Sequence, residues 1–107
     1  MKCLTLYLHA AAAEDAMNCL RSRPEVSGFT VMRCEGHSTR SEANVELATR
    51  DRVVGFVPRV RIEVVLEAAA VTAVLANLEM CLQGAFSQGI WTLTPLDGFG
   101  RIGQSGS

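Results

Sequence analysis

The sequence has almost no excess of charge of either sign. Ten Lys and Arg stand against eleven Asp and Glu, a formal net charge of −1 over 107 residues. A duplex-binding protein usually carries a basic excess, so nucleic acid is not the expected partner. Long apolar runs are also missing; none approaches the roughly 20 residues that a membrane-spanning helix needs. No C-x-x-C pair occurs, and the four cysteines, Cys3, Cys19, Cys34 and Cys81, are scattered. Three of them sit in apolar patterns, which predicts buried structural thiols. The nearest approach to a metal motif is Cys34 with His37 in "CEGH". Two ligands fall short of the three or four that zinc takes. Neither histidine has an obvious carboxylate to orient it, and no nucleophile–base–acid set or Walker or Rossmann glycine pattern is visible. The expectation is a protein that is not an enzyme.

What is present is a foldable, 49% hydrophobic chain long enough for one core. The N-terminal stretch "MKCLTLYLHAAAAEDAM" superficially resembles a signal peptide. Its apolar run is short, broken by Thr5 and His9, and followed by acidic residues. It reads instead as a strand entering a helix, and the chain as cytoplasmic. "KCLTLYLH" places leucine at every second position, a half-buried strand, with His9 at its end read as a rim or core histidine. "AAAAEDAMNCLRSR" favours a helix that Pro24 closes. "FTVMRCE" is a second strand. "GHSTRSEANVELATRDR", from Gly36 to Arg52, is polar and aperiodic, a long loop of the kind that carries function. "VPRVRIEVVL" is the third strand. Val71, Val74, Leu75, Leu78 and Leu82 recur at helical spacing, with Gly84 placed to stop that helix. "IWTLTPL" is the fourth strand. The order is β-α-β-loop-β-α-β, for which an α+β, ferredoxin-like arrangement with a four-stranded antiparallel sheet is the expected solution. Residues 1–98 form one domain on this reading, with 99–107 a flexible tail. Valine and leucine are read on both faces of the strands, which predicts self-association over the face the helices leave bare.

Arg59 and Arg61 alternate with Val60 and Ile62, so both arginines lie on one strand face. They are either a solvated face or an anion clamp, since guanidinium groups grip phosphate or carboxylate with two hydrogen bonds. The segment "VGFVPRVRIEVVL" resembles the "V-D-F-L-P-K-V-K-I-E-I-V-V" stretch of the PII signalling proteins. It shares Val54, Phe56, Pro58, Val60, Ile62 and Glu63. "VSGFTVMRCEGH" is similar to the PII second strand through Gly28, Thr30, Val31 and Gly36. "QGAFSQGI" resembles the PII B-loop through Gly84 and Gly89, and "GFGRIG" stands where PII ends in Arg-Ile-Arg. Some features also look like divergent PII-like proteins associated with bicarbonate transport, carboxysomes or metal efflux.

The resemblance implies a homotrimer with adenine nucleotide between subunits. It also implies a T-loop, residues 37–53, that regulates a partner, with a membrane transporter the expected one. Carried over, the nucleotide-binding positions are Gly28, Phe29, Thr30, Gly36, His37, Ser38, Val64, Val65, Gly84, Ser87, Gln88, Gly89 and Arg101. Arg40, Arg59 and Arg61 become anion or partner-loop residues. Glycines would let main-chain N–H groups approach phosphate, and an arginine would neutralise its charge. The departures narrow the ligand. Ala85 and Ile90 replace the two B-loop lysines, Ser38–Thr39–Arg40 replaces Gly-Arg-Gln, Gly103 replaces the last arginine, and Arg52 falls at the modified tyrosine. Each lost charge-assisted contact costs roughly 1.5–3 kcal/mol. ADP or AMP, with bicarbonate as a candidate second effector, is therefore favoured over magnesium-ATP with 2-oxoglutarate. The alternative reading is a metal-responsive PII-like or CutA-type protein using Cys34, His37 and His9.

Overall fold

The computed structural model describes residues 1–37, 56–84 and 88–103. The chain runs β1 (Lys2–His9), α1 (Ala13–Arg21), β2 (Thr30–Gly36), β3 (Val57–Leu66), α2 (Val71–Cys81) and β4 (Gly89–Pro95). Short 3₁₀ turns, Ala10–Ala12 and Ala68–Ala70, lead into the two helices. The sheet order is β2-β3-β1-β4, and every pairing is antiparallel. This is the α+β, ferredoxin-like βαββαβ arrangement. Most of the predicted T-loop lies outside the described residues.

Period two decides what each strand buries. In β1 the side chains of Leu4, Leu6 and Leu8 point to the helices, as do Val60, Ile62, Val64 and Leu66 of β3. On α1, Ala16, Cys19 and Leu20 share the inner face; on α2, Val71, Val74 and Leu78 do. These spacings of three and four residues are the helical stripe that meets a sheet. Each buried leucine, isoleucine or valine contributes about 1.5–3 kcal/mol. Glu14 and Asp15 in the first turn of α1, and Arg21 in its last, oppose the helix dipole. Helix α2 ends at Cys81, three residues before the expected glycine stop; Gly84 instead makes the following turn, with φ of 111°.

The other sheet face differs from expectation. Its residues are Cys3, Thr5, Tyr7 and His9 of β1, Arg59, Arg61, Glu63 and Val65 of β3, Thr30, Met32 and Cys34 of β2, and Ile90, Thr92 and Thr94 of β4. It is a mixed, largely polar surface, because the leucines of β1 all obey one alternation and turn inward. Exposed apolar side chains gather at the sheet edges: Ile90, Trp91 and Leu93 on β4, Val31 and Met32 on β2. The two helices cover β1 and β3 and leave the outer strands uncovered, so every residue of β4 is exposed.

The cysteines depart from expectation too. Only Cys19 is buried; Cys3 and Cys34 are half-buried on the open face, and Cys81 is exposed at the end of α2. No helix among the described residues is long and apolar enough to cross a membrane.

Candidate functional site

The register places the candidate residues at two opposite ends of the sheet. At one end, Thr30 lies beside Glu63 of β3. Gly28 precedes it, exposed, with open space around its Cα. The C-terminal segment crosses to this end. Leu96 donates its N–H to the Met1 carbonyl at 3.2 Å, and Arg101 Nη2 donates to Ser27 Oγ at 3.3 Å. Arg101 therefore stands next to Gly28, although the two are far apart in sequence. Phe29 points the other way, packing against the core with Arg21 over its ring at 5.6 Å. Val65 lies on the open face. Val64 is fully buried beneath the helices, so only its main chain can meet a ligand.

At the other end are Gly36 and His37, and Gly84 and Gly89. Gly36 pairs with Val57, and Gly89 pairs with Leu8. Thr30 and Gly36 are separated by about 20 Å, at ~3.3 Å per strand residue. Gln88 and Gly89 are exposed. Ser38, Ser87 and Arg40 lie outside the described residues.

Two glycines here are shaped by their neighbours. A methyl group on Gly36 would sit 2.6 Å from Arg59 Cδ, so the Arg59 side chain occupies the space that a larger residue would fill. A methyl group on Gly89 would meet the Tyr7 carbonyl oxygen at 2.8 Å. The absence of a side chain at Gly36 thus places a cation over the base of the predicted T-loop. This role for Gly36 was not visible in the sequence, because Arg59 is its diagonal neighbour across β3 rather than a neighbour in the chain.

Arg59 and Arg61 do share the open face. Arg61 lies over the Tyr7 ring at 5.9 Å and donates from Nη2 to Glu63 Oε2 at 3.3 Å. Its Nε is buried and has no hydrogen-bond partner among the described residues. A buried donor in this state is costly, and an arriving acceptor would relieve it.

The histidines diverge. His9 is buried, and its Nδ1 accepts from the Ala11 N–H at 2.9 Å, capping the 3₁₀ turn. That is a structural role. His37 does have a carboxylate partner: Nε2 lies 3.1 Å from Glu35 Oε1. The pair is separated by one residue in a strand end, a spacing that period two brings onto one face. The same alternation turns Cys34 to the opposite face, beside Arg59. Cys34 and His37 therefore do not converge. No group of three or more His, Cys, Asp or Glu residues suited to a metal occurs among the described residues.

A family model described as "Protein of unknown function (DUF3240)" matches residues 1–103. The chain belongs to the DUF3240 family. A crystal structure of a DUF3240 family protein from Shewanella baltica OS155 superposes with a TM-score of 0.74 at 18% identity, covering 94% of each chain. At that identity the likeness establishes the shared fold. No curated protein matches the chain significantly.

Proposed function

We propose that this DUF3240 protein is a PII-like sensor without catalytic activity. It assembles as a homotrimer, binds ADP or AMP in the clefts between subunits with bicarbonate as an accompanying anion, and regulates a membrane transporter through residues 37–53. The observation that supports this reading is the division of the candidate residues. Arg101 with Gly28 and Thr30 sits about 20 Å along β2 from Gly36 and His37. One nucleotide cannot span both groups within a single chain. Two copies, each giving one end of its sheet, would complete a cleft with phosphate donors on one wall and Arg101 on the other. The uncovered edge strand β4, with Ile90, Trp91 and Leu93 exposed, offers a surface for such an assembly. Bare edges of this kind are normally protected in a monomer.

Calorimetric titration with AMP, ADP, ATP and bicarbonate, combined with light scattering, tests the reading. The expected result is a trimer that binds one ADP or AMP per subunit. A monomer at micromolar concentration, or no adenine nucleotide bound at millimolar concentration, would overturn it.

A further inference from the structure

Helices α1 and α2 meet at a pair of thiols that the nucleotide reading does not use. Cys19, on the inner face of α1, is buried; Cys81, the last residue of α2, is exposed. The Cys19 sulfur is held against the last turns of α2. Asn77 Nδ2 donates to it at 3.0 Å, and its own S–H points to the Asn77 carbonyl at 3.6 Å. Residue 81 is one helical turn beyond residue 77. A helical side chain leans back over the turn N-terminal to its own Cα, so the Cys81 thiol covers the Asn77 turn, where Cys19 Sγ sits. Axes of packed helices lie 8–10 Å apart and their Cα atoms about 2.3 Å from each axis. Facing Cα atoms then approach to roughly 3.5–5.5 Å, which overlaps the separations of about 4.4–6.8 Å that disulfides take. Burial, and then the interaction with the neighbouring Cys81 thiol, push the Cys19 thiol up to about 12, consistent with two sulfurs in contact.

We propose that Cys19 and Cys81 are a peroxide-sensitive pair that forms a reversible disulfide joining α1 to α2. The exposed Cys81 gives up its proton and attacks one oxygen of hydrogen peroxide. The O–O bond breaks, hydroxide leaves and is protonated to water, and Cys81 becomes a sulfenic acid. The Cys19 sulfur then attacks the Cys81 sulfur. The S–O bond breaks, hydroxide departs, and with the Cys19 proton it forms a second water. Two thiols have lost two electrons and peroxide has become two waters. Other pairings are disfavoured by the fold: Cys3 pairs in register with Val65 and Cys34 with Arg59, at opposite ends of the open face. The bond would tie the C-terminal end of α2, just before Gly84, to α1. The pair itself stands independently of any nucleotide bound near Gly84.

The test treats the full chain with hydrogen peroxide, blocks remaining thiols with iodoacetamide and digests with a glutamate-specific protease. Cleavage after Glu14, Glu25, Glu35 and Glu79 puts the four cysteines in four separate peptides. The expected product joins the peptide 15–25 to the one beginning at Met80, within a single chain on a non-reducing gel, and dithiothreitol separates them. In Cys19→Ala, which leaves the exposed Cys81 in place, dimedone labelling of the Cys81 sulfenic acid should rise severalfold over the parent. Linkage through Cys3 or Cys34, or conversion of Cys81 to sulfinic acid while Cys19 remains alkylatable after unfolding, would overturn the proposal. So would dimedone labelling that Cys19→Ala leaves unchanged.

Discussion

Adding one methyl group at Gly36 separates a steric argument from a conformational one. Gly36 is not among the glycines with positive φ, which among the described residues are Gly84 and Gly103. Alanine can therefore adopt its backbone geometry, and the smaller unfolded-state entropy favours Gly36→Ala by about 0.4–1 kcal/mol. Against this, the new Cβ would lie 2.6 Å from Arg59 Cδ. The obstacle is a half-buried, multiply rotatable side chain, and moving it to another rotamer costs about 0.5–1.5 kcal/mol. The two effects nearly cancel, so Gly36→Ala should change stability by less than about 1 kcal/mol while displacing Arg59. Gly89→Ala is the control. There the methyl group meets main chain, the Tyr7 carbonyl oxygen at 2.8 Å, as well as Leu8 Cδ2 at 2.7 Å. The carbonyl cannot retreat without opening the β1–β4 ladder, and the buried Leu8 can move only by repacking the core, so the cost should be about 1–3 kcal/mol, as for overpacking. Urea denaturation at fixed protein concentration measures both. The decisive comparison repeats Gly36→Ala in an Arg59→Ala background. With the obstacle removed, it should become stabilising by about 0.4–1 kcal/mol. If it costs the same in both backgrounds, Arg59 does not fill the space over Gly36 and the account of that glycine fails.

Three further outcomes are expected. Arg101→Ala should weaken ADP by about 1.5–3 kcal/mol, roughly ten- to a hundredfold, in calorimetry. It should leave adenosine binding and stability nearly unchanged, because Arg101 is exposed and bonds only an exposed serine hydroxyl among the described residues. Leu20→Ala, at a side chain with 0% exposure, should cost about 2–5 kcal/mol in urea denaturation through the cavity it leaves. Stability should also fall in alkali through Cys19. Its folded thiol is raised from 9.0 to about 12. Between those values the unfolded state loses its proton first, so the contribution is present below pH 9 and lost as pH rises towards 12. The urea midpoint between pH 8 and 11 should therefore fall more steeply in the parent than in Cys19→Ala; parallel slopes would refute the buried-thiol account.

Much of the site was half-readable. Alternation in "PRVRIEV" put Arg59 and Arg61 on one face because period two is a property of any strand, whatever it pairs with. It could not say that Arg59 would lie over Gly36, or that Arg61 Nε would have no partner among the described residues beside Tyr7. Those contacts come from the cross-strand register, which aligns residues distant in the chain. The same limit explains Arg101, whose serine partner near Gly28 depends on the path of the C-terminal segment across the sheet. It also explains Val64, implied by resemblance beside Val65 yet turned into the core by one step of alternation.

The sequence by itself determined the element order and the inner faces. Leucine at every second position in β1, and valine and leucine at helical spacing in α2, are local patterns that select a period and a buried side. Only the tertiary structure decided where the uncovered apolar surface would fall. Two helices are wide enough to cover β1 and β3 but not the outer strands, so Trp91 and Leu93 remain exposed although they share the face of the buried leucines. It likewise decided the cysteines. Cys19 and Cys81 occupy apolar helical stretches that look alike in sequence, but packing buried one on the inner face of α1 and left the other in water at the end of α2. Burial depends on which neighbours a face meets, and no single segment carries that information.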